Sequence, residues 1–114
     1  MEGRKDDVEK VRFDLVPWDA IWGITEILTF GAKKYNERNW ERGMKWSRCF
    51  SAMFRHMIAW FQGKVPTTYS HLFGDLDLET GKSHLLHAGC CLLFLISYEM
   101  RNVGEDDRPQ EVQK

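Results

Sequence analysis

His84 and His87 lie three residues apart and share one face if the segment around them is helical. At that spacing two imidazoles on one helix can hold a metal ion between them. His56 sits on a stripe with Cys49, Ala52 and Ala59, while the His84–His87 face continues into Ala88 and Cys91, with Gly89 and Cys90 alongside. Small residues on both histidine faces leave room for a ligand or let two helices approach closely. Asp75, Asp77 and Glu79 precede His84 and offer hard oxygen donors for a divalent cation. Glu26, beside Trp22, Thr29 and Phe30 at helical spacing, reads as a carboxylate that burial would oblige to find a cation. The competing reading is bland: satisfied packing histidines and a surface carboxylate.

The segment 31–55 adds a second cluster. Lys33, Lys34, Arg38, Arg42, Lys45, Arg48 and Arg55 stand there against Glu37 and Glu41, a local excess of five positive charges. Tyr35, Trp40 and Trp46 are interleaved with them. Such a mixture suits phosphate contacts and stacking on a nucleotide, or a strip for single-stranded nucleic acid. A solvated loop anchored by tryptophans accounts for it as well. The chain has no Walker loop, GxGxxG, GxSxG or HD dipeptide, which disfavours P-loop, Rossmann, serine-hydrolase and HD-type chemistry.

Helices must position these groups. Pro17 suits a helix start, and Trp18, Ile21, Ile24, Thr25 and Leu28 recur at helical spacing as a buried face, with Gly31 weakening the end. Residues 36–46 read as a loop or irregular turn. A second helix is predicted from Ser47 to Gln62, before Gly63, with Phe50, Met53, Phe54, Met57 and Phe61 as its core stripe. Residues 63–80 form a connection, and a third helix runs from Thr80 or Gly81 to Met100. The expectation is an all-α bundle with a flexible charged segment over 1–13, one catalytic domain over 14–101 and a disordered tail over 102–114.

The 114 residues, 13.5 kDa, suffice for one small domain. With 43% hydrophobic residues, 29% charged and a net charge of -1, the chain is neither a basic nucleic-acid coat nor an acidic tail. Three helices of this length have little core of their own, so a homodimer or homotetramer is expected to complete it. Three cysteines without CxxC spacing read as reduced thiols. The charged amino terminus lacks a signal-peptide core, and the apolar run over 85–96 is too short to span a bilayer, which points to a cytoplasmic protein away from membranes.

Certain strings then carry a family likeness. Lys10-x-Arg12-x-Asp14-Leu15-x-Pro17, LTFGAKKYNERNW over 28–40, Arg55-His56, and Asp77-x-Glu79-Thr80-Gly81-x-x-His84-Leu85-x-His87-Ala88 resemble the phage-associated dATP/dGTP diphosphohydrolase domain. The likeness runs from about residue 10 to residue 98. It implies an all-α fold akin to the MazG-like nucleoside triphosphate pyrophosphohydrolases, which cut between the α- and β-phosphates with Mg²⁺ or Mn²⁺ held by helical acids. This chain lacks that superfamily's paired helical acids; Arg55-His56 and His84-x-x-His87 stand in their place. A histidine-rich site suits a softer ion such as Mn²⁺, Co²⁺, Fe²⁺ or Zn²⁺, or direct contact with phosphate.

The resulting expectation is a metal-dependent hydrolase of purine deoxynucleoside triphosphates, serving nucleotide-pool modification or housecleaning. His56, His84, His87 and Glu26 are its expected catalytic residues, and Asp77, Glu26, His84 and His87 its metal ligands. Lys33, Lys34, Arg38 and Arg55 would meet phosphates, Tyr35, Asn39 and Trp40 the base, and Arg12, with Asp14, would fold over the site. No strong nucleic-acid binding is expected; a binding module built on 31–55 is the rival reading.

Overall fold

The structure, a computed structural model, describes residues 3, 4, 6, 8–63 and 76–110. Asp75 lies outside them, as does most of the connection expected before the third helix. Three helices carry the fold: α1 (Trp18–Tyr35), α2 (Trp46–Gln62) and α3 (His84–Arg101). Short 3₁₀ turns occupy Phe13–Leu15 and Asn39–Arg42. No strand occurs among the described residues, so the all-α expectation holds. No helix among them is long and apolar enough to cross a membrane.

Helix α1 follows Pro17 directly and places Asp19 in its first turn and Lys33 and Lys34 in its last, matching the helix dipole at both ends. It runs unbroken through Gly31. Its buried residues are Gly23 and Ile27, whereas Trp18 and Thr25 are exposed, so the inward face is rotated from the expected one. α1 packs on α3 at close range. A Cβ on Gly23 would come within 2.7 Å of Leu86 Cδ2, and one on Gly89 within 2.8 Å of Ile24 Cδ1.

The expected core stripe of α2 also faces the other way. Phe50, Phe54, Met57 and Phe61 are exposed, Phe61 by 83%, and the buried residues are Trp46, Cys49 and Ala59. The physical reason is proximity: the small-residue stripe lets α2 lie close against α3, and Cys49 donates a hydrogen bond to the Cys91 carbonyl at 3.3 Å. Trp46, Cys49 and Tyr98 form the core, with Trp40, Met44, Phe94 and Val103 packed around them. Both polar aromatic tips are satisfied. Trp46 Nε1 donates to the Val103 carbonyl at 2.9 Å, and the Tyr98 hydroxyl donates to the Trp40 carbonyl at 2.7 Å.

Residues 102–110 correct the expectation of a disordered tail. Trp46 N–H donates to the Glu105 carbonyl at 2.9 Å, and Glu105 N–H donates to the Met44 carbonyl at 3.2 Å. The Asp107 carboxylate accepts from the Ser47 backbone N–H at 2.8 Å and from its hydroxyl. Ser47 was the expected cap of α2; the acceptor at this helix start comes instead from a residue sixty positions later. Gly43 and Gly104 make the approach possible, each at φ 83°. A Cβ on Gly104 would lie 2.4 Å from the Met44 carbonyl oxygen.

Candidate functional site

A tight turn aims the Asp77 carboxylate. Asp77 Oδ1 accepts the backbone N–H groups of Glu79 and Thr80, each at 3.0 Å, and Gly81, at φ 70°, donates its N–H to the Asp77 carbonyl at 2.7 Å. α3 therefore begins at His84 rather than at Thr80 or Gly81, with the Ser83 hydroxyl accepting the Leu85 N–H as its cap.

Three imidazoles meet where α2 and α3 lie closest to this turn. His56 Nδ1 and His84 Nδ1 are 2.8 Å apart. His56 stacks on His87 with ring centroids 4.6 Å apart and planes 16° from parallel. His87 Nε2 lies 2.7 Å from the Thr80 hydroxyl and 3.6 Å from Asp77 Oδ1. His84 is buried and His56, His87 and Asp77 are half-buried. Donor atoms of His56, Asp77 and His84 all fall within 4.8 Å of one another.

The surroundings keep this cluster electrically quiet. Burial pushes His56 down to about 4, and the facing His87 and His84 push the same way while Asp77 opposes them. Burial also lowers His87, again against Asp77. Burial works to raise Asp77, yet hydrogen bonds from Thr80 and the facing histidine outweigh it and hold the carboxyl below its usual range. At neutral pH the site therefore offers neutral His56 and His87 imidazoles beside a carboxylate, a donor set that suits a cation. Burial raises the adjacent Cys90 thiol to about 12, which leaves it protonated and inert.

The cluster opens into a cleft of about 830 Å³. His56, His87 and Asp77 line one side; the end of α1 with Lys34 and Tyr35, and the following turn with Arg38, Asn39 and Trp40, line the other. That size falls in the range of about 300–1,000 Å³ usual for small-molecule sites. Lys34 pairs with Glu79 across the cleft, which raises the lysine to about 12, and Arg38 reaches Glu41 at 3.2 Å. Trp40 stacks on Phe94 at 5.1 Å and carries the Arg101 guanidinium over its ring, so it serves the packing as much as the cleft.

Four expected site residues are not brought here. Glu26 is exposed, pairs with Lys82 at 3.2 Å and lines a separate depression with Lys33, Trp22 and Phe30. Its apolar neighbours suggested burial, but they too lie at the surface of α1. Arg55 is exposed on α2 and bonds Ser51 Oγ at 2.9 Å. Arg12 forks onto Asp14 at 2.7 Å, away from the cleft. Thr80 is the residue that spacing alone missed. An Asp followed three positions later by Thr and then Gly is the turn signal that marks it.

The sequence profile of the family described as dATP/dGTP diphosphohydrolase, N-terminal, matches residues 1–108. The chain belongs to this family. A curated dATP/dGTP diphosphohydrolase from Salmonella phage PMBT28 is 29% identical over 108 residues, covering 95% of this chain and 33% of that protein. The chain thus spans about a third of the length of this dATP/dGTP diphosphohydrolase relative. No solved structure matches it.

Proposed function

We propose that the cleft binds a purine deoxynucleoside triphosphate, dATP or dGTP, and hydrolyses it between the α- and β-phosphates to monophosphate and pyrophosphate. One observation carries this reading: His56, His87 and Asp77, backed by the buried His84, converge on one wall of a nucleotide-sized cleft whose other wall holds Lys34 and Arg38. The family assignment and the phage relative's name support the same substrate class.

Lys34 and Arg38 neutralise the phosphate chain and orient it. Tyr35 and Asn39, exposed at the cleft edge, meet the base. His87, neutral at rest, takes a proton from the attacking water, whose oxygen bonds to the α-phosphorus as the α–β bridging bond breaks. The electron pair of that bond leaves with pyrophosphate. Asp77, 3.6 Å from His87 Nε2, stabilises the imidazolium that forms. A divalent cation held among His56, His84 and Asp77 would supply further charge neutralisation on the phosphates. Magnesium and manganese are the ions that the family likeness implies; cobalt, iron and zinc suit imidazole donors.

The decisive assay presents the four dNTPs and four NTPs with Mg²⁺, Mn²⁺ and Co²⁺ in turn and separates the products. A purine dNTP is expected to yield monophosphate and pyrophosphate. A diphosphate with orthophosphate contradicts the mechanism. Absence of turnover, together with tight salt-sensitive binding to single strands, favours the nucleic-acid module instead.

Assembly belongs to this reading as well. Phe50, Phe54 and Phe61 on α2, and Ile96 and Met100 on α3, are exposed in numbers that a lone small domain rarely leaves in water. Phe50 and Ile96 flank one apolar groove between the two helices. Light scattering at micromolar concentration is expected to report a homodimer or homotetramer; a monomer would mean that these side chains stay in water.

A further inference from the structure

We infer that the chain binds one transition-metal ion through His56 Nδ1, His84 Nδ1 and the Asp77 carboxylate, and selects it over magnesium. Two imidazole nitrogens that face each other at 2.8 Å hold a single proton between them, so displacing that proton, or moving it to the far ring nitrogen, leaves two lone pairs directed at one small region. Asp77 stands beside them, with all three donors inside 4.8 Å. Bonds of about 2.0–2.1 Å in tetrahedral geometry set ligand nitrogens about 3.3 Å apart, so an ion enters on an opening of about half an ångström.

The supporting contacts divide the histidines by role. The hydrogen bonds that Glu79, Thr80 and the Thr80 hydroxyl give Asp77 all go to Oδ1, which fixes the carboxylate and leaves Oδ2 for the ion. His87 Nε2 is committed to Thr80, and its ring stacks on His56, so it positions a ligand rather than serving as one. Glu26 is held by Lys82 and takes no part. Three protein ligands, with the cleft alongside, match sites that keep a coordination position open for substrate rather than closed structural sites. Two nitrogens and one oxygen suit zinc, cobalt or iron(II), whereas magnesium demands an octahedron of oxygens.

The proposal concerns the site assigned above to hydrolysis, but the ion can be read without turnover. The full chain is treated with chelator, dialysed and titrated with Co²⁺. The expected result is a visible absorption of four- or five-coordinate cobalt that saturates at one ion per chain and is displaced by Zn²⁺. Calorimetry is expected to give Zn²⁺ an affinity at least about 100-fold above that of Mg²⁺. In variants whose helicity is intact by circular dichroism, His56→Ala and Asp77→Asn are each expected to weaken Co²⁺ binding by at least about tenfold. Glu26→Gln is expected to keep it.

Several results overturn the assignment: no saturable band on the unmodified chain, magnesium bound as tightly as zinc, a band that survives His56→Ala, or one lost in Glu26→Gln. The unmodified chain carries the test if a variant fails to fold. Hydrolysis of dATP without the cobalt band rejects this metal centre and leaves the hydrolase reading standing. The band without turnover of any nucleotide does the reverse.

Discussion

His87→Ala is expected to lower kcat for dATP or dGTP by about 10²–10⁴-fold, the contribution typical of a positioned general base, with a smaller effect on KM. The fold should tolerate the change. His87 is half-buried at a cleft wall, and its ring contacts are His56, Thr80 and Asp77 rather than the Trp46–Cys49–Tyr98 core. Turnover and melting temperature measured on the same samples separate chemistry from packing. If His87 is only a packing residue, its loss should cost about 1–3 kcal/mol through unsatisfied partners, with activity per folded molecule unchanged. That second pattern would sink the catalytic assignment.

The largest effects on stability are expected where the carboxyl-terminal segment meets α2. Trp46→Ala removes an indole at the centre of the core and its bond to Val103, and should cost about 3–5 kcal/mol. Gly104→Ala places a side chain at φ 83°, a strain of about 1–3 kcal/mol by itself. It also drives a Cβ to 2.4 Å from the Met44 carbonyl oxygen, which belongs to backbone and cannot rotate away. Gly31→Ala is the internal control. Its Cβ meets nothing within 4 Å, so it should stabilise α1 by about 0.4–1 kcal/mol. Urea unfolding of the three variants checks the order. Equal stability for Gly104→Ala and the unmodified chain would mean that the segment after α3 is not docked as described.

Much of the fold could be read from punctuation. Pro17, Gly63 and the apolar periodicity between them bracket α1 and α2 to within a residue or so, because chain stops and starts depend on local backbone chemistry. Which face turns inward is a different kind of question. The aromatic stripe of α2 looked like a core, yet the fit between two helices is set by how near their axes can come, and Cys49 and Ala59 permit what phenylalanine forbids. The sequence Gly104-Glu-Asp-Asp-Arg reads as a polar tail, since its order comes from partners sixty positions away.

The site divides in the same manner. His56, His84 and His87 stood out by residue type and by the small residues beside them, and they converge. Asp77 was visible as an acid, although the turn that aims it depends on Thr80 and Gly81 acting together. Glu26 and Lys33 were drawn in by sequence neighbours, but α1 turns both toward a different depression.

The packing of α1 distributes local stability unevenly. α2, α3 and residues 102–110 are bound by an aromatic core and a ladder of backbone hydrogen bonds. α1 rests chiefly on α3, and the exposed pairs Lys34–Glu79 and Lys82–Glu26 tie it to the turn before α3. Exposed pairs of this kind are screened by solvent, contribute little and weaken with salt. α1 is thus expected to open at lower cost than the rest of the fold, which amide hydrogen exchange would show as weaker protection over 18–35 than over α2 and α3. The groups proposed to carry protons and to hold a cation all come from the other part: α2, the 77–81 turn and α3. Opening of α1 would therefore change the width of the cleft, and with it access for the proposed nucleotide, without moving the imidazoles from one another.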